Sequence, residues 1–135
     1  MKFIILVSAM FVAFSATVSG QKKMTVIVDD LEEPKGKLMV GIYNSESAFM
    51  KKTFRGFMAD VEDATLELTL DMPAGEYALA VYHDLNENGK LDTAIFGIPT
   101  EKYGFSNNAK GLMGPPSYQK AKVKLTDNLV VKINL

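Results

Sequence analysis

Apolar and polar residues alternate along most of this chain with the period of a β-strand. In TLELTLD (65–71), Leu66, Leu68 and Leu70 fall on one face and Thr65, Glu67, Thr69 and Asp71 on the other, the signature of a half-buried strand. MTVIVDD (24–30) and GKLMVGIYN (36–44) are short apolar runs bounded by Asp, Pro, Gly and Asn. They predict two strands joined by a turn around Glu33, Pro34, Lys35 and Gly36. The turn Met72-Pro73-Ala74-Gly75 leads into EYALAVYHD (76–84), whose apolar residues stand at both parities, as in a central strand. Near the end, KAKVKLTDNLVVKINL (120–135) predicts two alternating strands, with Ala121, Val123 and Leu125 inward, then Leu129, Val131, Ile133 and Leu135. Asp127-Asn128 suits a hairpin turn between them, and Lys120, Lys122 and Lys124 suit the solvated face of an edge.

Two stretches depart from this pattern. SESAFMKKTFRGFMADVED (45–63) predicts a short helix capped by Ser45 or Ser47, after which FRGFMAD returns to an extended form. From Gly97 to Tyr118, GIPTEKYGFSNNAKGLMGPPSY has no period and is crowded with Gly, Pro and Asn. A loop of that length inside a compact domain is usually either functional or disordered. Ile98, Tyr103, Phe105, Leu112, Met113 and Tyr118 predict an ordered loop that folds back onto the sheet. The whole pattern implies an all-β fold, a β-sandwich of about seven antiparallel strands with a long ordered loop at one end.

The first residues obey a different rule. Lys2, an apolar run from Phe3 to Phe14 and the small, polar SATVSG have the layout of a secretory signal peptide over 1–20, with the mature domain at 21–135. The run is about a dozen residues, shorter than the roughly 20 that span a bilayer. The expectation is therefore a secreted or periplasmic protein without a transmembrane anchor after cleavage. With Lys2 set aside, 14 of the 15 Lys and Arg remain against 16 Asp and Glu, too near neutrality for nucleic acid to be an expected partner. The absence of cysteine excludes disulfides, thiol catalysis and cysteine-zinc sites, so packing holds the fold, with a metal as the available aid.

The richest chemistry lies in HDLNENGKLD (83–92). Calcium takes six to eight hard oxygens, which alternate residues of a tightly curling loop can supply. Asp84, Asn86 and Asn88 stand at relative positions 1, 3 and 5, Gly89 at 6, the Lys90 carbonyl at 7 and Asp92 at 9. The EF-hand pattern fails at position 12, where Ile95 replaces the bidentate glutamate, and Glu101 is the nearest acidic substitute. Two anionic ligands predict weak affinity, on the order of 10⁻⁴ to 10⁻³ M, as in extracellular modules. The same residues are also what a plain turn uses: Asn-Gly between apolar runs is a hairpin signal, and Asp and Asn stabilise turns through their side chains. Both readings stand at this point.

His83, the only histidine, has a neighbouring carboxylate at Asp84, but adjacent residues of a strand face opposite sides, and neither Ser106 nor Ser117 has a nucleophile context. The ordinary role of such a residue is to orient a loop by hydrogen bonds, so no catalytic residue is assigned. In the long loop, Tyr103, Phe105, Asn107 and Asn108 form a candidate small-ligand or carbohydrate platform, with His83 beside them. The competing reading has the rings plugging one end of the sandwich while the amides tie down the loop.

PAGEYALAVYHDLNENGKLDTAIFGIPTEKYGFSNNAKGLMGPPSYQKA resembles the core of the bacterial family called domain of unknown function 2141, with its HDxNxNGxLD, GIPxExYGFSNN and GPPS(Y/F)xxA blocks in order. That resemblance implies an exported β-sandwich related to immunoglobulin-like or prealbumin-like domains. It carries no catalytic residue, but it joins the acidic turn and the Gly/Pro/Asn loop into one motif. The resulting expectation is a non-enzymatic exported module, with calcium at the 84–92 turn supporting a 97–118 loop that contacts a small ligand or an envelope or extracellular protein. The alternatives are a metal-dependent hydrolase built on the His83 corner and a purely structural cell-envelope domain recognising a partner through a sheet edge.

Overall fold

The computed structural model describes residues 20–90 and 101–135. The leader expected over 1–20 (apart from Gly20), Asp92 and the opening residues of the 97–118 loop lie outside them. Among the described residues there are eight strands: β1 (Gln21–Asp29), β2 (Lys37–Tyr43), β3 (Arg55–Asp60), β4 (Leu66–Pro73), β5 (Gly75–Asp84), β6 (Tyr103–Phe105), β7 (Val123–Leu125) and β8 (Leu129–Asn134). A 3-10 turn (Ser106–Asn108) and the one-turn helix α1 (Tyr118–Ala121) stand between β6 and β7. No helix among the described residues is long and apolar enough to cross a membrane.

The strands form two sheets of a β-sandwich of the immunoglobulin-like and prealbumin-like kind. One sheet has the order β4-β1-β8; the other has β3-β2-β5-β6, with β7 also paired to β5. Alternation sets which side chains meet between them. Met24, Val26 and Val28 of β1 are fully buried and face Leu38 and Ile42 of β2 and Leu79 of β5, also fully buried, in one core. Removing such side chains from water, at roughly 25 cal/mol per Å² of apolar surface, is the main force holding the sheets together.

β5 is central, as its apolar residues at both parities predict. β2 pairs with it from Ala78 to Asp84 on one side, while on the other β6 pairs Ala80–Tyr82 and β7 pairs Gly75–Tyr77. Its outer face carries a second small core of Ala78, Phe105, Tyr118 and Ala121, with Phe49 packed against it. Phe49 meets Tyr43, Phe105 and Tyr118 edge to face at 5.3, 6.2 and 5.8 Å. Burial raises the pKa of the Tyr43 hydroxyl above its ordinary value.

Several expectations are corrected. Asp127-Asn128 is no hairpin turn: it carries the chain from β7 in one sheet to β8 in the other, and β8 runs parallel to β1. The reason is burial, because the free edge of β1 is where Val131 and Ile133 reach the core. The helix expected after Ser45 is a set of turns begun by the Ala48 N–H bonding to Ser45 Oγ at 3.3 Å. Met50 takes φ +60° there, which ends any helix while Phe49 turns inward. Leu112 and Met113 do not fold back onto the sheet; both are fully exposed, whereas Phe105 and Tyr118 do fold back. Lys120 belongs to α1 rather than to a strand, leaving Lys124 exposed on the short edge strand β7.

Asp29 fastens the three-stranded sheet at one end. The Thr65 hydroxyl donates to Asp29 Oδ1 at 2.8 Å, and Lys132 Nζ lies 3.1 Å from Oδ2. The Thr65 hydrogen bond, then the Lys132 ammonium, hold the Asp29 carboxyl below its ordinary 3.8. A depressed folded-state pKa contributes stability that is present above the ordinary carboxylate range and is lost as pH falls through the lowered value. In thermal melts between about pH 5 and pH 2, Asp29→Asn is therefore expected to lose stability with a shallower slope than wild type.

Candidate functional site

The end of β5, the turn that follows it and the approach to β6 converge at one end of the sandwich. His83 and Asp84 occupy opposite faces of β5, and both are buried, at 2% and 1% exposure. His83 Nε2 lies 2.6 Å from the Lys35 carbonyl oxygen; a carbonyl only accepts, so this nitrogen carries hydrogen. Its backbone N–H donates to the Lys102 carbonyl at 2.8 Å, carrying the β5 pairing beyond β6. The ring therefore ties the β1–β2 connection to the end of β5.

Gly36 explains how the two turns pack so closely. It sits at φ +76°, and a Cβ there would lie 2.5 Å from the Asp84 carbonyl oxygen and 2.9 Å from Leu85 Cα. Glycine meets both demands, a left-handed backbone and direct backbone-to-backbone contact.

Asp84 organises the turn. Its Oδ2 accepts the Gly89 N–H at 2.7 Å and its Oδ1 accepts the Asn88 N–H at 3.2 Å. Asn86 Oδ1 accepts from Asn88 N at 3.3 Å, and Asn88 Oδ1 from Lys90 N at 2.9 Å. Alternate side-chain oxygens thus curl the chain around the buried carboxylate. The Tyr82 hydroxyl donates to the Gly89 carbonyl at 3.1 Å, and Glu101 Oε2 accepts the Leu85 N–H at 2.8 Å. Glu101 is itself buried, at 7% exposure, so two carboxylates lie inside this corner.

Of the residues proposed as calcium ligands, Asp84, Asn86 and Asn88 accept backbone N–H bonds within the turn, Lys90 takes part through its N–H, Glu101 accepts from Leu85, and Asp92 lies outside the described residues. Asp84 makes no ion pair among the described residues. No group of three or more His, Cys, Asp or Glu among them is arranged to hold a metal ion. A cation here would depend on the neutral oxygens of Asn86, Asn88 and the Lys90 carbonyl added to Asp84, a donor set that hard cations accept.

The candidate platform residues divide. Tyr103, 43% exposed, lies edge-on to Phe105 at 6.0 Å, and both line a cleft of about 520 Å³ with Asn108, Lys110, Asn134 and Leu135. Asn108 is also structural, since its Oδ1 accepts the Asn134 N–H at 2.9 Å and joins the loop to β8. Asn107 does not line the cleft; its amide donates to the Lys120 and Lys122 carbonyls at 3.1 and 2.9 Å. His83 lines neither this cleft nor the apolar groove on the outer face of the larger sheet.

Two features were not legible as sites in the residue pattern. Ser106 is fully buried, accepting the Leu79 N–H at 2.9 Å and donating to the Ala121 carbonyl. Its place immediately after an aromatic strand residue was the available signal. The second is an apolar groove of about 460 Å³ on the outer face of the larger sheet, lined by Gly41, Gly56 and Ala80 with Met39, Met58 and Tyr82. Register creates it: Met58, Met39, Tyr82 and Tyr103 stand opposite one another in one cross-strand row, and Gly56, Gly41 and Ala80 in another.

A family model described as an uncharacterized protein conserved in bacteria (DUF2141) matches residues 26–133. No curated protein and no solved structure matches the chain.

The corner depends on the absence of a side chain at position 36. Gly36→Ala is expected to destabilise the fold by about 1–3 kcal/mol, through a left-handed φ and a direct backbone clash. Equilibrium denaturation gives the magnitude. Faster amide exchange at Leu85, Asn88 and Gly89 than elsewhere in the sheet would localise the effect to this corner.

Proposed function

The chain belongs to the DUF2141 family of proteins conserved in bacteria, and on that footing we propose that it is an exported, non-enzymatic binding module. In this reading a cation-organised turn supports a contacting loop over 97–118. The observation that carries the reading is the Asp84 carboxylate. It is 99% removed from solvent, opens a D-x-N-x-N-G turn, and receives two backbone N–H bonds but no cationic side chain among the described residues. Burying a charge without a counter-charge costs several kcal/mol, and bound calcium would supply that counter-charge. An ionised carboxylate offers about four lone-pair positions, so its two N–H bonds leave room for a metal. Asn86 and Asn88 would add side-chain oxygens and Lys90 its carbonyl.

The loop follows from the turn. Glu101 holds Leu85, and two residues later β6 begins the segment whose Tyr103, Phe105, Asn108 and Lys110 line the cleft. Cation binding at the turn would thus steady the entry to the contacting surface. The hydrolase alternative draws little support, because the imidazole it needs for proton transfer is buried against the Lys35 carbonyl and lines neither cavity.

Calcium that binds only the folded state must stabilise it. For a dissociation constant of 10⁻⁴ to 10⁻³ M, 10 mM calcium is expected to add about 1–3 kcal/mol, several degrees in Tm, relative to chelator. Asn86→Ala/Asn88→Ala should fold yet show little of this shift. An unchanged wild-type Tm would remove calcium from the reading.

The loop is tested separately by pull-down from an envelope extract with wild type and Tyr103→Ala/Lys110→Ala. Partners that depend on the loop are expected to disappear with the variant. A partner that pairs with a sheet edge would be retained, which would shift the reading to a structural envelope domain.

A further inference from the structure

Leu112 and Met113 are the most exposed large apolar side chains among the described residues, at 103% and 101%, and they are consecutive. They stand at the tip of a loop whose base is closed. Asn107 donates to the Lys120 and Lys122 carbonyls, and Ser117 caps α1 by accepting the Lys120 N–H. The tip itself turns tightly: a Cβ at Gly111 would collide with the Gly114 and Pro115 carbonyl oxygens, Gly114 takes φ +143°, and Pro115-Pro116 follow. The backbone therefore holds the pair outward, and no burial among the described residues compensates for their exposure. A single exposed leucine is ordinary, but an adjacent, fully exposed pair on a closed tip marks an interaction surface.

Charge identifies the kind of surface. Between Lys102 and Thr126 the chain carries Lys102, Lys110, Lys120, Lys122 and Lys124 and no aspartate or glutamate; every acidic residue except Asp127 precedes this stretch. Lys102 pairs with Glu32 and Lys122 with Glu76, while Lys110, Lys120 and Lys124 are exposed and make no ion pair among the described residues. An apolar tip carried on a segment whose own charges are all lysines, with exposed Lys110 two positions before Leu112, complements an anionic bilayer, whose acyl boundary takes apolar side chains while its phosphates take ammonium groups. A protein groove would accept the apolar tip but gives no reason for a segment of this length to carry lysines and no acid.

We propose that the 109–117 loop is a membrane-surface anchor, with Leu112 and Met113 entering the acyl boundary of an anionic bilayer and Lys110 lying among the lipid phosphates. This rests on the reading of the 97–118 loop as the contacting surface and is independent of calcium at the turn. Two apolar side chains make the attachment weak and reversible, a peripheral contact rather than an insertion.

The protein recovered after export is mixed with vesicles of phosphatidylglycerol and phosphatidylethanolamine, or of phosphatidylcholine alone, and sedimented at low salt. Wild type is expected to partition onto the anionic vesicles and to be released as salt rises. Leu112→Ser/Met113→Ser should lower the partition coefficient about tenfold or more, and Lys110→Glu by several-fold. The exposed tip contributes little to the fold, so the Tm of the double variant should equal that of wild type, which separates lost binding from lost folding. Wild type that shows no preference for anionic vesicles overturns the proposal and leaves the tip to a protein partner. A double variant that partitions as well as wild type overturns it equally. Failure of the underlying loop reading has a different signature, a pull-down indifferent to Tyr103→Ala/Lys110→Ala.

Discussion

Strand β5 lies in the middle of the larger sheet with both faces covered along much of its length, so its backbone N–H and C=O groups must find partners inside the protein. On one side β2 satisfies them in a continuous ladder. On the other, two three-residue strands, β7 and β6, pair with Gly75–Tyr77 and Ala80–Tyr82 of β5 and leave a gap at Ala78 and Leu79. Ser106 fills it, its hydroxyl taking the Leu79 N–H while donating to Ala121 at the start of the return path. The order of a Gly-, Pro- and Asn-rich segment thus follows from the requirement that a buried strand leave no polar group unpaired.

The same requirement extends to the end of β5. His83 continues the ladder by donating its backbone N–H to Lys102, while its ring reaches across to Lys35. Asp84 then ends the strand, paired with Lys37 and with its side chain buried, and the following residues wrap around it. Glu101 and Tyr82 hold the turn from two further directions. Hydrogen bonds to backbone groups thus join the acidic turn to Glu101, just before β6, and to the end of β5.

Burial also divides the long loop into an anchored part and a presented part. Phe105 and Tyr118 close the outer core around Phe49, and Asn107 and Asn108 tie down the backbone between them. Ala78 and Ala80 leave room for those rings on β5. Leu112 and Met113 are left outside that core, and the tight Gly111–Pro115 turn keeps them in solvent.

Strand existence, the central place of β5 and the inward faces of β4 and β8 were legible because alternation is a local property: each residue's neighbours two positions away report its face. The curl of 84–90 was legible for the same reason, since Asp, Asn and Gly act on backbone groups within a few residues of themselves. Sheet membership was not local. Whether Asp127-Asn128 made a hairpin or a crossover depended on which edge of the opposite sheet still needed covering, and that edge belongs to residues a hundred positions earlier. Likewise, the cross-strand groove, the gap closed by Ser106, the burial of Asp84 and the exposure of Leu112 and Met113 arise only when distant segments compete for the same limited apolar surface and the same backbone partners. By itself the sequence determined the period, the turns and the oxygen-rich chemistry of one loop; the tertiary structure decided which of those oxygens are buried and which apolar residues are left facing water.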